Sequence, residues 1–240
     1  MRPVSGLADP GGAAPSAAFG RVTADLRSQC DQLGTLRPEL TFEDVPAPKT
    51  LAPYASAIAA TVRVDDEEFT SGRLVLLYDP AGQRGWSGPL RIIAYIRADL
   101  DPEIAADPLI GQVGWSWLIE ALDGRTAGYA EPSGTVTRVV TEGFGAKHDE
   151  PAATGFELRA SWSPAAADPD QTPDQTPDQA AGPGAAAELD PTAGLAGVAE
   201  RGDLAGHVTA WCEALCSASG LPPLAAGVTA LRPPGSRRRR

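Results

Sequence analysis

Two short runs of bulky apolar residues set the terms for this chain: Leu74 to Tyr78 (LVLLY) and Ile92 to Ile96 (IIAYI). Both have the length of a strand and fall far short of the ~20 residues that a membrane-spanning helix needs. A strand sends successive side chains to opposite faces, so residues two apart share a surface. Around these runs the alternation sorts the residues. Ile92, Ala94 and Ile96 share one face; Phe156, Leu158, Ala160 and Trp162 occupy the equivalent face, and Tyr54, Ser56, Ile58, Ala60, Val62 and Val64 form another such series. The opposite parity carries Arg91, Tyr95 and Arg97, then Arg138, Arg159 and Arg63. The expectation is a sheet with one apolar face and one open face lined with guanidinium groups and a tyrosine.

Helical spacing frames these strands. Phe19, Val22, Leu26, Cys30 and Leu33 recur as one stripe, so a helix is expected from Ser16, a plausible N-cap, to Leu33, with Gly34 as its stop. Strands are expected at Leu40 to Val45, Tyr54 to Val64, Arg73 to Tyr78, Leu90 to Ala98, Thr135 to Thr141 and Gly155 to Ser163. Between the fourth and fifth, Asp101 to Leu122 reads as a helix in two pieces, broken near Pro108 and Gly111 or Gly114. Asp203 to Ser219 is amphipathic, with Leu204, Val208, Trp211 and Leu215 on one stripe. An isolated helix of that length is marginal in water, so it must dock on the rest. The order α-β-β-β-β-α-β-β-α has hairpin-like strand sets and no βαβ units. It predicts a single α+β domain with a mostly antiparallel sheet of about five to six strands and helices packed on one face.

Gly and Pro together supply 26 and 23 of the 240 residues, and they concentrate outside these elements. Residues 1–15 and the basic tail 232–240 are expected to be disordered. Residues 164–200, with the repeat QTPDQTPDQ, hold too few large aliphatics to offset their ordering entropy. This stretch reads as a disordered loop that interrupts one domain over 16–231, because the last helix still needs a surface to cover.

The formal net charge of −11 argues against nucleic acid as a partner, since phosphate binding needs a positive field. The terminal SRRRR offers only weak, salt-sensitive attraction. Three cysteines without framework spacing, Cys30, Cys212 and Cys216, do not make a disulfide scaffold. The first twenty residues have no apolar leader core, so the expected location is the cytoplasm, with no membrane partner.

Motifs for chemistry are missing. There is no phosphate loop, no GxGxxG and no GxSxG elbow; GWSWL, with Ser116, lacks the second glycine. Asp99, Asp101, Glu103 and Asp107 suggest calcium, but the loop positions that need Gly and Glu hold Ile104 and Ile110. Asp101 is better read as a helix cap. His207 with the three cysteines has the chemistry of a zinc site without the spacing of one, and burial is the simpler reading. No catalytic residue, metal or cofactor is expected. Trp115 and Trp117 sit about 200° apart on the expected helix. Trp115 joins Leu118 and Leu122, which leaves Trp117 as the half-exposed ring and a candidate binding anchor.

The strings GRLVLLYDPAGQ, IIAYIRADLDPEIAADPL, VGWSWLIEAL, ELRASWSP and AWCEALCSASGLPP resemble the actinobacterial family known as domain of unknown function 3000, over most of residues 19–231. The resemblance implies an intracellular protein and carries over no activity or catalytic residue. The element order is also similar to the secretion-chaperone-like fold, whose members dimerise and bind proteins, a likeness of topology alone. The leading expectation is a non-enzymatic cytosolic binding or adaptor protein, chaperone-like in this sense. It would use Arg91, Tyr95, Arg97, Arg138, Arg159 and Trp117 to hold a protein or an anionic ligand, and a homodimer is compatible with it. Cross-strand pairing of these arginines with Glu142 and Glu157 is the competing structural account. The second functional reading is an enzyme on an anionic small molecule with Glu142 or Glu157 as acid or base. The third is an accessory role in RNA processing.

Overall fold

Alternation in the sequence becomes one six-stranded antiparallel sheet in the computed structural model, which describes residues 10–64, 67–125, 128–149, 152–164 and 203–222. In chain order the strands are β1 (Leu40–Asp44), β2 (Tyr54–Val64), β3 (Glu67–Tyr78), β4 (Leu90–Asp99), β5 (Tyr129–Thr141) and β6 (Ala153–Pro164). The helices are α1 (Pro10–Leu36), α2 (Pro102–Ala106), α3 (Ile110–Arg125) and α4 (Asp203–Ala218). In space the strands run β1-β2-β3-β4-β6-β5, so the excursion through α2 and α3 carries the chain past the place that β6 then fills. The expected segments 1–9, 165–200 and 232–240 lie outside the described residues.

Helices α1, α3 and α4 cover one face. Phe19, Val22, Leu26, Cys30 and Leu33 of α1 meet Leu204, Val208, Trp211 and Leu215 of α4 and the sheet residues Ile58, Val62, Leu74, Leu76, Ile92, Ile96, Phe156, Leu158 and Trp162. Residues of this size contribute about 1.5–3 kcal/mol each when fully buried. Fixed polar contacts orient the layer. The Trp162 indole donates to His207 Nδ1 at 3.1 Å in the interior. Arg125 donates to Glu213 at 3.1 Å and so ties α3 to α4. Ser219 donates to Thr70 at 2.7 Å and fixes the end of α4 on β3. Gly72 makes the approach of α4 possible: a Cβ there would lie 2.8 Å from Leu215 and from the Tyr95 carbonyl.

The seam between α1 and α4 contains all three cysteines, each a free, buried thiol. Burial pushes Cys30 and Cys216 up to about 11. Cys212 is raised further, by burial first and then by Cys30, Cys216 and Glu213. Thiols held protonated in this way are packing groups. Among the described residues no helix is long and apolar enough to cross a membrane.

Several boundaries differ from expectation for local reasons. Helix α1 starts at Pro10, so residues 10–15, expected to be disordered, are helical. It also runs through Gly34, which packs near the Phe42 ring, and ends just before the turn at Pro38. Strand β5 begins at Tyr129, not Thr135, because a bulge between Ala130 and Ser133, at Glu131 and Pro132, lies inside the strand where a turn was expected before it.

If Gly72 is the contact that seats α4, Gly72→Ala destabilises the protein by about 1–3 kcal/mol, since an added methyl overpacks the interface. A lower urea midpoint with an unchanged denaturant slope is the expected result.

Candidate functional site

The uncovered side of the sheet is divided into two halves. At one end Ala57, Val75 and Leu77 form a second apolar cluster with Val45, Ala47, Ala52, Trp86 and Ile93. The β1–β2 and β3–β4 connections cover it, and Gln83 joins them by donating to the Leu51 carbonyl at 2.9 Å. The other end is open. Two cross-strand rows run over it. Arg73, Tyr95, Arg159 and Thr135 stand side by side on β3, β4, β6 and β5. Next to them run Thr61, Ser71, Arg97, Glu157 and Thr137.

Tyr95 is the centre of this half. The Arg159 guanidinium lies over its ring, 5.4 Å from the centroid. Arg159 also donates to Glu157 at 2.9 Å while its own side chain stays 66% exposed. The Tyr95 hydroxyl donates to the same carboxylate, which is the main reason that Glu157 is held below the usual carboxylate range; Arg159 and Arg97 add to it. Burial, then the bond to Glu157, raises the Tyr95 phenol. Glu157 therefore aligns the tyrosine and one arginine and neutralises only part of the local charge. Arg73 and Arg97 are both exposed. Arg73 belongs to this group and was not anticipated: the unbroken run LVLLY hides the alternation that puts it opposite Leu74 and Leu76 from the core's side.

Arg91 is not on the open surface. It is 7% exposed and occupied by structure. Its guanidinium donates to Ser161 Oγ at 2.8 Å, to the Ser161 carbonyl at 3.3 Å and to the Glu131 carbonyl at 3.2 Å. Burial lowers its pKa, and the Glu131 carboxylate partly restores it. The Glu131 carbonyl belongs to the β5 bulge, where Glu131 itself has φ 53°, a left-handed conformation that a non-glycine residue adopts at a cost. Arg91 is the clamp that holds this turn of backbone against β6.

Two other expected residues lie on the opposite side of the sheet. Arg138 pairs with Phe156 and so shares the helix-side parity of Val136, which pairs with Leu158. It donates to the Asp107 carbonyl at 3.4 Å at the α2–α3 connection. In TVTRVVT both parities carry valine, so alternation alone does not fix the face of Arg138, and the pairing with β6 decides it. Trp117 sits edge-on to Phe156 at 5.8 Å, against the core. Trp115 is equally half-buried, its ring beside Gly134 of β5. Arg63 is exposed beyond the irregularity in β2 at Val62/Arg63. Of the expected set, then, Tyr95, Arg97 and Arg159 come together; Arg91, Arg138 and Trp117 do not join them.

The remaining candidates resolve locally. Ser116 donates to the Val113 carbonyl of its own helix at 3.0 Å. Asp101 accepts from the Glu103 amide at 2.8 Å as the cap of α2. Glu142 is exposed at the end of β5. Among the described residues no group of His, Cys, Asp and Glu is placed to hold a metal ion.

Residues 15–229 match the family described as Protein of unknown function (DUF3000). No curated protein and no solved structure matches the chain.

Two outcomes separate clamp from surface. Arg91→Met costs about 3 kcal/mol in chemical denaturation, because it strands buried acceptors around the bulge, whereas Arg73→Ala and Arg97→Ala each stay within about 0.5 kcal/mol. In Tyr95→Phe the Glu157 carboxyl loses the largest influence lowering it, so its titration moves to higher pH, which carboxyl-carbon NMR reads directly.

Proposed function

We propose that this chain, which belongs to that family, is a non-enzymatic binding protein that holds an acidic protein segment on the open half of its sheet. The observation that carries the reading is the grouping of Arg73, Arg97 and Arg159 around Tyr95, in a protein whose net charge is −11. In an acidic chain such a cluster is a local reversal of field, and it favours a carboxylate-rich ligand. Planar guanidinium groups present paired donors to carboxylates, and the tyrosine adds a rigid flat contact. Neighbouring strands lie about 4.8 Å apart, so Arg73 and Arg159, two strands apart with Tyr95 between them, are separated by roughly 10 Å, a span that suits an extended segment with several carboxylates better than a small molecule.

Glu157 supports the same reading against the enzymatic one. A general acid near neutral pH needs a raised carboxyl, and here tyrosine and arginine hold it low. The cytoplasm is the compartment we infer, in keeping with three free buried thiols. Eighteen arginines against two lysines fit the high-GC actinobacterial source that the sequence suggests.

The test is fluorescence anisotropy with a labelled glutamate-rich peptide across a salt series. Wild type is expected to bind it with an affinity that falls as salt rises, while a lysine-rich peptide of equal length does not bind. Arg73→Glu/Arg97→Glu/Arg159→Glu, which leaves the Arg91 clamp intact, abolishes binding without loss of fold. Equal binding by wild type and this variant would sink the proposal, and so would retention of RNA by wild type but not of the peptide.

A further inference from the structure

The two edges of the sheet are built differently. Strand β1 is five residues long and ends in Glu43 and Asp44, with Pro38 before it and Pro46 after it. Short length, charge and proline are the usual means by which an edge is kept from pairing with another chain. Strand β5 concentrates such devices in its first half, with Pro132 and the bulge between Ala130 and Ser133, and its second half has a single charge, Arg138. Its second half, Thr135 to Thr141, reads TVTRVVT. Six of its seven residues are β-branched, all are exposed or half-buried, and among the described residues no strand pairs with their outer backbone groups. At its end, Val140 is 63% and Phe144 78% exposed.

We infer that this edge pairs with the same edge of a second copy of the chain, antiparallel about a two-fold axis at Val140, joining two sheets into one. The register follows from charge. A two-fold axis at Arg138 would set that arginine against its own copy. An axis at Val140 sets Arg138 opposite Glu142, and Glu142 opposite Arg138, so both symmetric contacts are attractive. The same register sets Val140 against Val140 and Val136 against Phe144, which removes the two most exposed large apolar side chains of this region from water. Phe144, three residues beyond the end of β5, has extended backbone angles, φ −129° and ψ 160°. Opposed residues in this pairing share a face, and these pairs all lie on the helix side. The arginine–tyrosine face is not consumed, and the inference does not depend on its function.

Sedimentation velocity of the full chain over a concentration series tests this. Wild type is expected to show a monomer–dimer equilibrium. Val140→Lys, at an exposed position that leaves the far-ultraviolet circular dichroism unchanged, raises the dissociation constant about tenfold or more. Arg138→Glu and Glu142→Arg each weaken the dimer by placing like charges opposite one another twice, and the double variant R138E/E142R recovers it. The face variant Arg73→Glu/Arg97→Glu/Arg159→Glu dimerises as wild type does, which separates this outcome from loss of peptide binding. A wild type that stays monomeric throughout the series overturns the inference. A dimer indifferent to Val140→Lys, or a double variant that fails to recover, overturns it as well.

Discussion

A pleated strand must send every second side chain to the same side, and nearly all of this molecule follows from the decision to cover only one of those sides. Helices α1, α3 and α4 take the face that bears Ile92, Ile96, Leu158 and Trp162. Once they are in place, Tyr95, Arg97, Glu157 and Arg159 have no choice but the other face. Gly72 enforces the arrangement, since the absence of a side chain lets Trp211 and Leu215 of α4 settle against β3. A slip of one residue would bring Arg73 of β3, or Arg91 or Arg97 of β4, beneath the helices in place of Leu74, Ile92 or Ile96.

The arginines show how one residue type performs three tasks in a single sheet. Arg91 is surrounded by fixed acceptors on β6 and in the bulge, so its charge serves to keep a strained backbone turn in position. Arg138 points to the helix side and holds the α2–α3 connection. Arg73, Arg97 and Arg159 leave their side chains exposed around Tyr95 on the open face. Glu157 tempers this set without quenching it: one carboxylate bonds a phenol and Arg159 and lies in the field of Arg97 as well. Counting arginines therefore says little about binding until their acceptors are known.

What could be read from the chain, and what could not, divides along local against non-local causes. Strand β2 spans Tyr54 to Val64 as its alternation predicts, and α4 runs from Asp203 to Ala218, ending just before the expected Ser219. Tyr95, Arg97 and Arg159 sit together because each lies on a strand whose parity is set by unmistakable core residues. The start of β5 is less legible: Pro132 and Gly134 resemble a boundary, yet the strand runs through a bulge between Ala130 and Ser133. Arg138 is illegible for another reason, because valines stand on both parities of TVTRVVT and only the pairing with Phe156 assigns its face. Arg91 was misjudged for a related reason. Its burial comes from β5 and from the loop around Ser87, segments brought to it by a crossover that no single stretch of sequence encodes.

The face and the edge meet on β5. Thr135 ends the row that begins at Arg73, and it also opens the unguarded segment of the strand. Pairing two copies along this segment keeps equivalent faces on the same side, because directly opposed residues of antiparallel strands point the same way. The two arginine groups would then share one surface, set apart by the threonines and valines of the paired edges. For an acidic partner with two charged segments, the second contact becomes intramolecular, and its effective concentration rises without any new side chain being added. That gives a physical reason for threonine, rather than lysine or glutamate, at Thr135 and Thr137: a charge there would guard the edge, and it would also divide the surface that pairing makes continuous.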